Sequence, residues 1–152
     1  ADRIWPLGLG ADVITGFPGE TPTDHAATSD LIRELPFTYL HVFPFSPRDG
    51  TVAAGLPSPV PQRIAGERSR ELREMANDKG LEYRESRVGE NADIVVEGTS
   101  GTALTGDYLR VGLVGLGAES NGLPEPRYRG TLQGDREHLY IEFPQNPAAI
   151  LV

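Results

Sequence analysis

The sequence predicts two kinds of structure in succession, an α/β region and then an all-β region. Two observations carry this. Between residues 10 and 80, short apolar runs alternate with helix-period stretches, and each run ends in a Gly/Pro-rich turn. That is the pattern of βα units built on parallel strands. After Gly80 the period shortens, and several runs alternate apolar with polar residues between turn residues. Such spacing predicts a small barrel or sandwich.

The elements follow in order. Gly10-Ala11-Asp12-Val13-Ile14-Thr15-Gly16 reads as a buried strand that breaks at Gly16, Pro18 and Gly19. Gly16 and Gly19 let the backbone turn with positive φ or come close to a ligand. In open sheets and barrels, ligands bind at such C-terminal strand ends. A plain tight βα connection uses the same residues. The turn is not a Walker A loop, since no Lys-Ser or Lys-Thr pair follows, and it does not match G-x-G-x-x-G.

Thr23 is the predicted N-cap of a helix running to Leu35, with Ala27, Leu31, Ile32 and Leu35 as its buried face and Pro36 as its stop. His25, in the first turn, reads as a solvated residue without a partner for metal. Phe37 to Phe43 is a second strand, which the connection makes parallel to the first. His41 within it reads as a packing residue. Residues 51–59 form a loop. A helix opens at Val60-Pro61 and is expected to end near Lys79, with Gly80 as its stop. Ile64, Ala65, Leu72, Met75 and Ala76 form its thin apolar face. Its interleaved arginines and glutamates read as a solvated face with i,i+4 ion pairs.

In the second region, Ala92–Glu97, Asp107–Val114, Tyr128–Gln133 and Glu137–Phe143 are the predicted strands. Leu109, Val111 and Leu113 share one face, and so do Leu139, Ile141 and Phe143. Gly134-Asp135-Arg136 reads as a hairpin-like turn, residues 115–127 as a long loop, and residues 144–152 as a tail that packs back or frays. The boundary between regions falls near residue 80, giving domains 1–79 and 80–152.

Composition narrows the function. A chain of 152 residues, 38% of them hydrophobic, with 18 Gly and 13 Pro, suits a turn-rich globular protein. The net charge of −8 argues against strong non-specific binding to nucleic acid. No apolar run is long enough to span a bilayer, and no signal-peptide core is present. The expectation is a cytoplasmic protein that does not enter membranes. With no cysteine, the chain itself supplies no disulfide, thiolate zinc site or cysteine-held iron–sulfur cluster. The opening residues hold no full element and no starting Met, so a piece of a longer protein is expected.

Two long stretches carry a resemblance. Gly10-Ala11-Asp12-Val13-Ile14-Thr15-Gly16-Phe17-Pro18-Gly19-Glu20-Thr21 and Tyr39-Leu40-His41-Val42-Phe43-Pro44-Phe45-Ser46-Pro47-Arg48-Asp49-Gly50-Thr51 resemble the radical-SAM core of the MiaB-like methylthiotransferases. Glu67-Arg68-Ser69 and Leu72 continue it. Leu104 to Val111 resembles the TRAM domain that ends those enzymes, and the form of the second motif is most like the MtaB-type members. The resemblance implies the C-terminal part of a radical-SAM partial TIM barrel (βαβ-α), followed by a small OB-like antiparallel β-barrel, the TRAM domain. It also implies S-adenosylmethionine and [4Fe–4S] clusters in the full-length parent, with none on this chain alone. The implied reaction adds a methylthio group to threonylcarbamoyl-adenosine beside the tRNA anticodon. Sister members act on isopentenyl-adenosine or a ribosomal protein.

On that resemblance, Val13, Ile14, Gly16, Pro18, Gly19, Val42, Phe43 and Pro44 border the cofactor. Val13, Val42 and Phe43 serve equally well as sheet core. Arg48 is the candidate substrate contact, and tRNA is the implied partner of the TRAM-like region through Tyr108, Arg110, Arg127, Tyr128, Arg129 and Tyr140. That region carries 7 basic and 11 acidic residues from Lys79 onward, a net of 7 − 11 = −4, which weakens the RNA case. A non-catalytic RNA-binding module and a ligand-free structural fragment remain open beside the transferase. With the preceding barrel strands absent, Val13, Ile14, Leu40 and Val42 are expected to lie uncovered, leaving the isolated chain either self-associated through this sheet or only marginally folded in its front half.

Overall fold

A computed structural model describes residues 5–97, 101–115 and 127–142. They fall into two compact units, one from Leu9 to Gly80, the other combining the segment before Leu9 with the chain from Leu81 onward.

In the first unit, strands β1 (Gly10–Thr15) and β2 (Tyr39–Pro44) pair in parallel, with Val13 opposite Val42 and Ile14 opposite Phe43. Helix α1 (Pro22–Glu34) connects them. Its N-cap is Thr21, two residues ahead of the expected Thr23. The Asp24 N–H donates to Thr21 Oγ1 at 3.2 Å and the Thr21 N–H donates to Asp24 Oδ2 at 2.9 Å, a reciprocal capping box with Pro22 in the first turn. The buried face of α1 also differs from expectation. Ser29 and Ile32 are buried, whereas Leu31 is 51% exposed. Helix α2 (Gln62–Ser86) selects this face. Its Leu72 meets Ile32 and Val42 in one core, and its Glu71 accepts from Ser29. The apolar stripe read from sequence lies roughly 100° around the helix from that contact.

Helix α2 buries Ala65, Arg68, Ser69, Leu72 and Ala76. It does not stop at Gly80 but continues to Ser86. Gly80 serves packing instead: a Cβ there would lie 3.2 Å from the Thr38 carbonyl oxygen. The helical cost of one interior glycine is only ~1 kcal/mol, less than the contacts made beyond it by Tyr83 and Arg84. A short 3-10 turn, Val52–Gly55, precedes α2.

The second unit is a single six-stranded sheet: β3 (Asn91–Glu97), β4 (Thr102–Thr105), β5 (Arg110–Val114), β6 (Arg127–Thr131), β7 (Gln133–Gly134) and β8 (Leu139–Glu142), ordered β6-β3-β4-β5-β8-β7. The expected all-antiparallel arrangement is corrected at one pair, β5 with β8, which is parallel. Thr102–Thr105 is a strand the sequence reading passed over, while Asp107 and Tyr108 form the turn into β5 rather than part of it. At the sheet's two edges lie β6 and β7, separated in sequence only by Leu132, so one bent segment joins both edges and the sheet curls around a core. Ile94, Ala103, Leu109, Val111, Tyr128, Leu132, Leu139 and Ile141 fill that core, with Leu113 packed against it. The turn after Gly134 is held by Asp135, whose Oδ1 accepts from the Glu137 and His138 N–H groups at 2.8 Å. Phe143, most of the loop at 115–127 and the tail at 144–152 lie outside the described residues.

Candidate functional site

In the first unit the strand alternation sorts the cofactor-facing candidates. Val13 and Val42 face the helices: Val42 is buried, and Val13 is packed against Ile32 and Leu72. Their side chains belong to the core, the second of the two places the sequence allows them. Ile14 and Phe43, paired across the two strands, face the other way and are 56% and 51% exposed. Tyr39 and His41 continue this open face, their rings 5.9 Å apart. Pro44 is exposed and Pro18 half-buried, and Arg48 lies exposed in the loop after β2. The uncovered apolar surface is therefore Ile14, Tyr39 and Phe43, not Val13, Leu40 and Val42.

The turn at the end of β1 is built more tightly than a bare connection. Gly16 has φ +73° and packs on α2, where a Cβ would lie 2.3 Å from the Ala65 Cβ. Gly19 has φ +89° and faces open space. Thr15 Oγ1 donates to the Ala65 carbonyl at 3.0 Å and shares a 2.6 Å hydrogen bond with the Ser69 hydroxyl. Glu20 closes the turn on itself. Its carboxylate accepts the Gly16 N–H and pairs with Arg68 Nη1 at 3.0 Å, and that nitrogen also donates to the Glu20 carbonyl at 3.2 Å.

His25 is not solvated. It lies between two carboxylates, Nε2 3.0 Å from Glu71 Oε2 and Nδ1 3.8 Å from Glu20 Oε1. Its hydrogen bond holds the Glu71 carboxyl below the usual range. Sequence reasoning placed Arg68 among solvated helix arginines. The signal that locates it is spacing: Arg68 and Ser69 sit one turn from Ala65 and Leu72, on the buried stripe of α2.

The second unit holds a fully buried arginine, Arg87, paired with Asp107 through Nε at 2.9 Å. The Tyr83 hydroxyl donates to the same Asp107 oxygen at 2.6 Å. Burial works against the charged carboxyl, but hydrogen bonds from Tyr83, Thr105 and Arg87, with the charge of Arg87, hold Asp107 below its usual range. The Tyr83 hydroxyl is pushed upward by burial and by Asp107. Arg87 also reaches Glu90 at 3.3 Å and lies 5.9 Å from the centre of the Trp5 ring, and Trp5 donates to Glu90 at 3.3 Å. This cluster ties the end of α2 and the segment at Trp5 to the sheet; nothing in the sequence pattern marked it.

Of the candidate RNA contacts, Tyr108 is 66% exposed at φ +65°, a left-handed backbone held by its N–H donating to the Thr105 carbonyl at 3.0 Å. Arg110 pairs with Glu97 at 3.2 Å, and Arg129 forks onto both oxygens of Asp93 at 2.6 and 3.1 Å. Arg127 is exposed. Tyr128 is corrected: at 1% exposure it is a core residue, and its ring offers no stacking platform. Tyr140 is half-buried. Among the described residues, no cluster of histidine, aspartate and glutamate is arranged to hold a metal ion.

No family model matches the chain. Curated relatives do. A threonylcarbamoyladenosine tRNA methylthiotransferase MtaB of Treponema pallidum is 42% identical over 72% of this chain and 23% of its own length. A tRNA-2-methylthio-N(6)-dimethylallyladenosine synthase of Moorella thermoacetica is 41% identical over 63% of this chain and 22% of its own. An MtaB of Thermotoga maritima is 38% identical over 60% of this chain and 21% of its own. The chain spans between a fifth and a quarter of the length of these relatives. With both long motifs and the matching relatives in agreement, the chain belongs to the MiaB/MtaB-like family of methylthiotransferases.

Proposed function

We propose that this chain is the C-terminal portion of a tRNA methylthiotransferase that modifies threonylcarbamoyl-adenosine next to the anticodon, in the cytoplasm. The observation that carries this reading is the 42% identity with an MtaB over 72% of the chain. A second reading, with dimethylallyladenosine as the substrate, is favoured by relatives of that name at 41% and 43% identity.

The first unit is the end of a radical-SAM barrel in this reading, and the second a TRAM-like domain. The strand order supports an OB-like barrel. Counting the bent β6–β7 segment as one strand, five strands run 1-2-3-5-4 with the parallel pair between third and fifth, and the fourth returns to the first. The cluster does not fit this chain, which has no thiolate to offer. We assign S-adenosylmethionine to the exposed pair Ile14 and Phe43 beside the Gly16–Gly19 turn; the reading is supported by an apolar face that adjoins open backbone there. In the parent, that cofactor together with the cluster supplies the radical chemistry. This chain's residues hold and orient: Glu20 and Arg68 fix the turn, while Pro18 and Pro44 flank it.

The test is to delete the gene carrying this chain and measure modified nucleosides in total tRNA by mass spectrometry. Loss of 2-methylthio-threonylcarbamoyladenosine is the expected result. Loss of the dimethylallyl analogue selects the second reading, and no change in either sinks both.

The isolated chain is expected to self-associate through the open face and edges of β1 and β2, where Ile14, Tyr39 and Phe43 are exposed. Sedimentation at micromolar concentration should give a species larger than 16.4 kDa, and Phe43→Ser should shift it toward monomer. A wild-type monomer at all concentrations refutes this.

A further inference from the structure

His25 stands between two carboxylates that come from different elements. Its Nε2 lies 3.0 Å from Glu71 Oε2 on α2, and its Nδ1 lies 3.8 Å from Glu20 Oε1 in the turn after β1. The His25 and Glu20 side chains are only 12% and 13% exposed. Nδ1 is buried and makes no hydrogen bond. A buried ring nitrogen left in this way needs a physical reason. The carboxylate it faces is the one that closes the turn: Glu20 Oε2 accepts the Gly16 N–H and pairs with Arg68, while Oε1 is turned to His25.

The proton count on the ring decides what the arrangement does. A neutral imidazole has one donor and one acceptor. With the proton on Nε2, donation to Glu71 leaves the Nδ1 lone pair pointing at a carboxylate. With the proton on Nδ1, the Nε2 lone pair meets a Glu71 oxygen at 3.0 Å. Only the doubly protonated ring offers an N–H to both. The local charge points the same way. The charged groups around the ring are Glu20 from the turn, Asp24 and Arg33 from α1, and Arg68 and Glu71 from α2. Three carboxylates oppose two guanidiniums there, and Arg33 is already paired with Asp30 at 2.6 Å. A proton on His25 removes the surplus negative charge.

We propose that His25 is a proton-dependent clasp on the Gly16–Glu20 turn. Charged, it ties Glu20 in the turn to Glu71 on α2; as it loses its second proton, Glu20 loses one of the groups that hold it. The turn is therefore firmest at lower pH and loosens as pH rises through the histidine range of about 5 to 8. His25 is a positioning residue, since it acts through Glu20. The inference rests on the functional reading above for one point only, that this turn borders S-adenosylmethionine; on that reading the clasp makes the cofactor side of the fold sensitive to pH.

The test is a titration of the full 15N-labelled chain from about pH 5 to 8, followed at the His25 ring nitrogens and the backbone amides. The Gly16, Gly19 and Glu20 amides should shift with the same midpoint as the His25 ring. Protection of the Gly16 amide from exchange, corrected for the intrinsic effect of pH, should fall about tenfold across the range, the scale of one weakened charge-assisted hydrogen bond. His25→Gln, which takes up no proton, should abolish both changes. His41→Gln is the control for the other histidine of this unit and should leave them in place. Glu71→Gln should move the midpoint to lower pH, since it removes one of the two carboxylates that favour the charged ring. Turn amides that stay still, a ring that does not titrate in this range, or a step that survives His25→Gln each overturn the clasp. An unchanged midpoint in Glu71→Gln overturns the sharing of the ring between two carboxylates. None of these readouts uses the cofactor, so their failure leaves the functional reading standing.

Discussion

Replacing Arg87 by methionine is expected to destabilise the second unit by about 3–5 kcal/mol, because it strands a buried carboxylate. Asp107 is 3% exposed and Arg87 not at all. The buried carboxylate that remains loses its only cation and keeps only the hydrogen bonds from Tyr83 and Thr105. Trp5, the only tryptophan, lies beside Arg87, so its fluorescence in a urea titration reads the loss directly. The double replacement Arg87→Met with Asp107→Leu should recover most of it, since apolar residues of similar volume avoid the desolvation of both ions.

The sign of the pH dependence follows from the depressed Asp107 carboxyl. Its contribution is complete above the ordinary value of 3.8 and is lost as pH falls toward the lower folded-state value. Wild-type protein should therefore lose stability on acidification below that point more steeply than the double variant. A single Arg87→Met loss under 1 kcal/mol, or equal acid slopes in the two proteins, refutes the anchor role.

Gly16→Ala is expected to cost the first unit about 3 kcal/mol or more, combining left-handed backbone strain with overpacking. The φ of +73° is unfavourable for any L-residue, and the added methyl would lie 2.3 Å from Ala65 Cβ and 3.1 Å from its Cα. The Cα belongs to the backbone of α2, so neither atom can rotate aside. Gly19→Ala is the control. Its φ is +89° but nothing lies within 4 Å, so only the conformational term remains, about 1–2 kcal/mol. Hydrogen exchange over residues 10–44, read by mass spectrometry, separates the two. Equal effects would mean that the contact with α2 does not hold the turn.

The parallel βαβ order was legible because Pro and Gly punctuate it and the strands are β-branched and aromatic. The family was legible because the motifs at residues 10–21 and 39–51 are long and ordered. The buried face of α1 was not, since Leu31 and Ile32 both offer apolar surface and only the position of α2 chooses between them. The end of α2 misled for a related reason. A glycine near the end of a periodic run signals a cap, yet Gly80 is there for its close approach to the Thr38 carbonyl. His25 and Arg68 gave no composition signal at all. Their burial depends on Glu20 and Glu71, which lie up to 48 residues away in sequence and meet them only after folding. Tyr128 looked like a platform because it sits between two arginines, but strand alternation turns those outward and the tyrosine inward.

The bent segment through Leu132 has a kinetic consequence. β6 pairs with β3 while β7 pairs with β8, so this stretch must find two partners at opposite ends of the sheet. The pairing of β5 with β8 likewise spans a long stretch of chain. Such contacts are non-local, and loop-closure entropy must be spent before they return anything. A half-assembled sheet gains little, because its final strand completes both margins together. The second unit should therefore fold slowly for its size and in one concerted step, with the fully buried Leu132 inside the nucleus.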